Sequence, residues 1–264
     1  VPSTTLNGIE IYYERQGSGP PLLYLNGSGA TLASTGLLLA PFAARCDLVA
    51  HDQRGLGRTT VPPGPYAMAD YAADAAALLD HLGWERCRVV GISFGGMVAL
   101  ELAATRPERV EKLAALCTSA GGAGGASYPL HELDDLAPEL QAALQPLLLD
   151  TRFTPEWLAS HPQDQGLADM MAARSTGTRS DEQRRGELEQ LGARRHHDVF
   201  DRLGRIACPT LVAGGRYDGI APPANSEAIA GAIPGAELRL YEGGHAFFAQ
   251  DARALPEVVD FLGT

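Results

Sequence analysis

Apolar and polar positions alternate over residues 3–15 around Asn7-Gly8, a dipeptide suited to a two-residue turn, and this predicts a β-hairpin. A short apolar run, Leu22-Leu23-Tyr24-Leu25, then stops at Asn26-Gly27-Ser28-Gly29, which reads as a buried strand entering a glycine-rich loop. The pattern next predicts a helix over 31–44 and a strand over 47–52. Tyr71, Leu78, Leu79 and Leu82 recur at helical spacing up to Gly83. Arg88-Val89-Val90-Gly91 reads as a strand, 94–105 as a helix closed by Pro107, and 113–117 as another strand. Strand and helix keep alternating, which implies a mostly parallel sheet with helices on both faces.

The rhythm changes at Ser119. Gly121-Gly122-Ala123-Gly124-Gly125 is expected to be a flexible hinge, and polar, helix-rich sequence without a strand signal follows. Residues 121–204 are therefore expected to form an inserted helical cap on a core made of 1–120 and 205–264. Strand and helix resume with a strand at 209–214, a helix at 222–233, a strand at 238–241 and a closing helix near 255–261.

A chain of 264 residues suffices for one large domain with such a lid. Its 45% hydrophobic and 20% charged residues exclude wholesale disorder. Lys plus Arg number 21 against 32 Asp plus Glu, and the net charge of −11 sets nucleic acid and anionic membrane surfaces aside as partners. The longest uncharged run, 113–130, holds Thr118, Ser119, glycines and Pro129 and is unsuited to a membrane span. Val1-Pro2-Ser3 shows no basic segment leading into an apolar one, so a cytoplasmic location is expected, although a start at Val is compatible with a leader already removed. Cys46, Cys87, Cys117 and Cys208 lie far apart with no metal-ligand spacing and read as small buried apolar residues. Oligomeric state is left open.

The chemistry centres on Gly91-Ile92-Ser93-Phe94-Gly95-Gly96, a G-x-S-x-G where a strand hands over to a helix. Close backbone approach at such a turn demands glycine on both sides, lifts the Ser93 hydroxyl above the sheet and places the Phe94 N–H at a helix start, where it can stabilise an oxyanion. A serine hydroxyl needs a base, and the base an orienting acid. Both follow strand ends further along: Asp218 in Gly215-Arg216-Tyr217-Asp218-Gly219, and His245 in Glu242-Gly243-Gly244-His245. Those are the positions where parallel sheets gather ligands. His196 and His197 are the competing pair, and a solvated helix face accounts for them.

These residues resemble the α/β-hydrolase superfamily over nearly the whole chain. Asp52-Gln53-Arg54-Gly55-Leu56-Gly57-Arg58-Thr59 is similar to the family's D-x-R-G-x-G-x-S loop, with Thr59 where serine is usual. Cys208-Pro209-Thr210-Leu211-Val212 resembles the approach to the family's acid, and Cys117-Thr118-Ser119 offers no carboxylate at the family's alternative position. The resemblance implies a mostly parallel eight-stranded sheet with a helical cap, and a second oxyanion donor at the Ser28 N–H. Asn26-Gly27 departs from the usual His-Gly, with Asn26 in the loop-bracing place. A second departure is 246–251, Ala-Phe-Phe-Ala-Gln-Asp, in place of an ending in Glu-x-Pro.

Within the superfamily the chain looks most like the branch of 3-oxoadipate enol-lactonases, small esterases and cofactor-free haloperoxidases. That implies a serine hydrolase acting on a small-molecule ester or lactone, with no metal or organic cofactor. A perhydrolase, a C–C bond hydrolase and a non-catalytic ligand-binding protein on the same fold are the alternatives, while Ser93 argues against dehalogenases and epoxide hydrolases, which use Asp. Asn26, Trp157, Met170 and Met171 are candidate substrate-binding residues, with cap-to-core packing as the plainer role of Trp157, Met170 and Met171. Arg194 and Arg195 are candidates to meet a substrate carboxylate, although a helix this polar is expected to turn them to solvent. Asp134 and Asp135 would receive the amine of an aminopeptidase substrate.

Overall fold

The computed structural model describes residues 3–175 and 179–264; Val1 and Pro2, and residues 176–178 of the expected cap, lie outside the described residues. Strands β1 (Ser3–Leu6), β2 (Ile9–Gly17), β3 (Pro21–Leu25), β4 (Asp47–His51), β5 (Cys87–Ile92), β6 (Val110–Leu116), β7 (Thr210–Gly215) and β8 (Glu237–Tyr241) form one eight-stranded sheet ordered β1-β2-β4-β3-β5-β6-β7-β8. The first two pair as the expected hairpin, with Asn7 and Gly8 both at positive φ, as a tight hairpin turn requires. β2 meets β4 antiparallel, and every pairing from β4 to β8 is parallel.

Alternation along each strand divides the core into two layers. Leu22, Tyr24, Leu48 and Ala50 face one side, under the helices Leu32–Ala43 and Ala254–Gly263. Leu23, Leu25, Val49 and Val89 face the other, under Met68–His81, Phe94–Thr105 and Pro223–Ala232. The chain leaves β3 for β4 on one side and returns to β5 on the other. That reversal is where α/β sheets bind ligands, beyond the carboxyl ends of the strands.

Between β6 and β7 the described residues contain helices and 3-10 turns and no strand. The α-helices are Pro138–Leu149, Pro155–Ser160, Pro162–Ser175 and Asp181–Arg195. A 3-10 turn, Phe200–Arg205, leads back, with Val199, Leu203 and Ile206 buried in the core layer.

The glycine run at 121–125 is a packed turn rather than a flexible hinge. It closes a 3-10 turn over Gly122–Gly124, and the Gly121 N–H donates to the Gly125 carbonyl at 3.2 Å. A Cβ on Gly121 would lie 1.9 Å from the His197 carbonyl oxygen, and one on Gly124 would lie 2.3 Å from the Phe200 ring. Close packing against the returning chain is therefore what demands glycine there.

Candidate active site

Ser93 stands between β5 and the helix Phe94–Thr105 with φ 55 and ψ −113, an uncommon conformation for a residue with a side chain. Its surroundings explain the flanking glycines: a Cβ on Gly91 would lie 2.2 Å from the Gly95 carbonyl oxygen, and one on Gly95 would lie 2.1 Å from that of Leu25. The strained residue is anchored on both sides of its peptide. Its N–H donates to the Leu116 carbonyl at 2.8 Å, and its carbonyl accepts from the Thr118 hydroxyl at 2.8 Å.

His245 and Asp218 meet as expected. His245 Nδ1 lies 2.8 Å from Asp218 Oδ2 and 3.0 Å from Oδ1. A carboxylate only accepts, so Nδ1 is the donor in this pair and Nε2 is the ring nitrogen that Asp218 leaves unengaged. Asp218 is buried, and its Oδ1 also accepts from the N–H groups of Ile220 and Ala221, each at 2.8 Å, which fixes the carboxylate plane. The His245 loop is clamped from the helical segment: the His245 N–H donates to the Leu149 carbonyl at 2.6 Å. Gln250 accepts from the Gly244 N–H through Oε1 and donates to the buried Asp150 through Nε2. The departure after the histidine thus supplies a brace, which the sequence exposes only as an irregularity.

The loop after β3 approaches from the other side. A Cβ on Gly27 would lie 3.6 Å from the Ser93 Cβ. Among the described residues no hydrogen bond engages the Ser28 N–H, and the Phe94 N–H belongs to the first helical turn, whose N–H groups have no intrahelical partner. The loop is held by Gln53 Nε2, which donates to the Asn26 carbonyl at 2.9 Å, and by Asp52, which accepts from the Leu32 and Arg58 N–H groups. Asp52 is buried, which raises its pKa against those two hydrogen bonds. Thr59 ties this loop to β2, donating to the Asp52 carbonyl and accepting from the Tyr12 N–H. Asn26 is 1% exposed, and its Nδ2 has no partner among the described residues.

The helix Asp181–Arg195 crosses this region. A Cβ on Gly186 would lie 1.9 Å from the Gly55 carbonyl oxygen. Glu189 accepts from the Tyr66 N–H, Gln190 Oε1 accepts from the Gly29 N–H at 2.8 Å, and Arg194 Nη1 donates to the Tyr128 carbonyl at 2.7 Å. Arg194 is therefore 6% exposed, contrary to the expectation that it faces solvent, while Arg195 is exposed. His196 is exposed as expected, but His197 is buried against the core, and burial pushes its imidazole down to about 4.

Trp157 and Met171 are partly buried and pack against a cluster of Leu149, Phe153, Leu158, Ala168 and Ala246, beside the His245 loop. The Trp157 indole donates to Asp164 at 2.8 Å. Met170 is 53% exposed. The side chain of Asp134 lies outside the described residues, and Asp135 is exposed. All four cysteines are free, with Cys208 partly exposed. Among the described residues no cluster of three or more His, Cys, Asp or Glu is placed to hold a metal ion, and no helix is long and apolar enough to cross a membrane.

This sheet and loop arrangement defines a class, and the sequence comparison agrees: residues 20–252 match the α/β hydrolase fold family, and the chain belongs to it. It is 32% identical to a putative carbamate hydrolase RutD of Variovorax paradoxus, over 96% of each chain. It is also 32% identical to a poly(3-hydroxyalkanoate) depolymerase of Ectopseudomonas oleovorans, over 92% of this chain and 84% of that one. Among solved structures, the enol-lactonase from Burkholderia xenovorans LB400 superposes with a TM-score of 0.80 at 25% identity, over the full length of both.

Proposed function

We propose that the protein is a serine hydrolase that cleaves a carboxylic ester or lactone of a small molecule through Ser93, His245 and Asp218. The observation that carries this reading is His245 Nδ1 held by both oxygens of a buried Asp218 beyond β7 and β8, with a strained Ser93 at the same end of the sheet, after β5. His245 Nε2 takes the Ser93 proton as Oγ attacks the carbonyl carbon, and the N–H groups of Phe94 and Ser28 receive the developing oxyanion. The tetrahedral intermediate expels the alkoxide, which takes the proton from His245; in a lactone that oxygen remains tethered to the acyl chain. Water, deprotonated by His245, then attacks the acyl-enzyme and frees the acid and Ser93. No step calls for a cofactor.

In this reading 1–120 and 205–264 are the catalytic core and 121–204 is a cap that shields the reaction from water. Support comes from the helix Asp181–Arg195, which touches the loops after β3 and β4, and from Leu149, which holds the His245 backbone. Trp157 and Met171 brace the cap beside the His245 loop. The relatives named as putative carbamate hydrolases support a second reading, attack of the same Ser93 on a carbamate carbonyl.

Hydrolysis of short-chain 4-nitrophenyl esters, with a matched carbamate alongside, tests both. The parent is expected to turn over the ester, and Ser93→Ala to lose on the order of a millionfold in kcat. Faster turnover of the carbamate would favour the second reading, and equal rates in parent and variant would remove Ser93 from the chemistry.

A further inference from the structure

Arg194 is 6% exposed, yet among the described residues its Nε and Nη2 have no hydrogen-bond partner, and Nη1 alone is engaged, by the Tyr128 carbonyl. One turn earlier on the same helix face, Gln190 is 1% exposed; its Oε1 is used by the Gly29 N–H and its Nε2 has no partner. A buried guanidinium ordinarily sits beside a carboxylate, because an unpaired buried charge is costly. Arg88, also buried, keeps that rule with Glu111 at 3.5 Å, and the part-buried Arg54 makes two bonds to Asp74. Among the described residues no charged neighbour of Arg194 offsets the burial, which pulls its pKa down to about 10.

The sheet order shows where these free donors lie. The helix Asp181–Arg195 touches the loop after β4 at Gly55, the loop after β3 at Gly29, and the segment after β6 at Tyr128. β5 runs between β3 and β6, and Ser93 is at its end. Gln190 therefore reaches the loop whose Gly27 packs on Ser93, and Arg194 lies one helical turn further along the same face, at Tyr128. Tyr128 is in turn tied to the Asp218 loop, since its N–H donates to the Ile220 carbonyl at 2.7 Å.

We propose that Arg194 and Gln190 form a subsite for a carboxylate carried by the substrate, so that the ester or lactone bears an anionic group beside the bond that is cleaved. The subsite rests on the serine-hydrolase reading for its place in catalysis, but it binds whether or not Ser93 reacts. Two guanidinium N–H groups and an amide NH₂ supply donors and no competing acceptor, which suits a carboxylate and not a second cation. In a chain of net charge −11, this local cation is what admits an anion to the cleft.

The test compares the mono-4-nitrophenyl esters of succinate, glutarate and adipate with neutral 4-nitrophenyl esters of matched chain length. The parent is expected to favour at least one acidic ester over its neutral match, in kcat/KM, by on the order of tenfold or more. Arg194→Gln is expected to cut that ratio by about ten- to a hundredfold, mainly through KM. Arg194→Lys, which keeps the charge and loses the planar fork, should retain part of the preference and is read in the same way should Arg194→Gln fail to fold. No preference in the parent, or a ratio unchanged in both variants, would overturn the subsite. Calorimetric binding of the preferred acidic monoester to Ser93→Ala separates the two claims. Binding that Arg194→Gln abolishes supports the subsite even if no ester is hydrolysed, whereas hydrolysis without such binding leaves Ser93 chemistry standing and removes the subsite.

Discussion

Gly186 and Gly55 meet backbone to backbone: a Cβ on Gly186 would lie 1.9 Å from the Gly55 carbonyl oxygen. The helix Asp181–Arg195 thus settles onto the loop after β4 only because both residues lack side chains, and that contact seats the helix where Gln190 meets Gly29 and Arg194 meets Tyr128. Gly186→Ala is expected to lift this helix, break the Gln190 bond to Gly29, and raise KM several-fold. Overpacking of this kind costs about 1–3 kcal/mol, so the melting temperature should fall as well. Steady-state kinetics beside a thermal melt checks both; an unchanged KM would mean that the helix does not shape the substrate site.

The turn at Ser93 is equally intolerant. In Gly95→Ala the new Cβ would lie 2.1 Å from the Leu25 carbonyl oxygen, backbone that cannot swing away. We expect a loss of at least about 1–3 kcal/mol in urea unfolding, together with a fall in kcat, because the substitution moves β3 against the helix that carries Ser93. A variant of parental stability would show that the turn relaxes more freely than its packing indicates.

Two buried histidines make stability depend on pH. His51 is 2% exposed and His197 is 7% exposed, and burial pushes each imidazole from 6.5 down to about 4. Above pH 6.5 both are neutral in the folded and unfolded chains, and their full contribution is present. Between 6.5 and about 4 the unfolded chain binds protons that the folded chain refuses, so stability falls as pH falls, by roughly 3 kcal/mol per histidine at the lower limit. Urea unfolding at pH 7 and pH 4.5 should reveal the slope, and His197→Gln should flatten it relative to the parent. A variant with the parental slope would show that His197 takes up its proton in the folded state.

Much of this architecture is legible in the residues, and the reasons are local. Asn7-Gly8 specifies its hairpin because few other residues adopt positive φ in succession, and Gly91 and Gly95 flank Ser93 because the turn leaves no room for Cβ atoms. The pairing of Asp218 with His245 was readable from their positions after strand ends. What local pattern could not show depends on contacts distant in sequence. The 121–125 glycines look like a hinge until the returning chain at His197 and Phe200 is placed against them. The helix carrying Gln190 and Arg194 looks solvated because its apolar content is low, yet it buries both residues against loops distant in sequence, 161 residues away at Gly29 in the case of Gln190. The Asp150–Gln250 brace joins side chains 100 residues apart, and only the odd sequence after His245 hinted at it.

The central claim is that Ser93 becomes acylated, and trapping that intermediate tests it most directly. Parent protein mixed with a 4-nitrophenyl ester, quenched in acid during turnover and mapped by peptide mass spectrometry, is predicted to carry the acyl group on Ser93, with none in Ser93→Ala. Steady turnover with the acyl group on another residue, or hydrolysis that persists undiminished in Ser93→Ala, would contradict it.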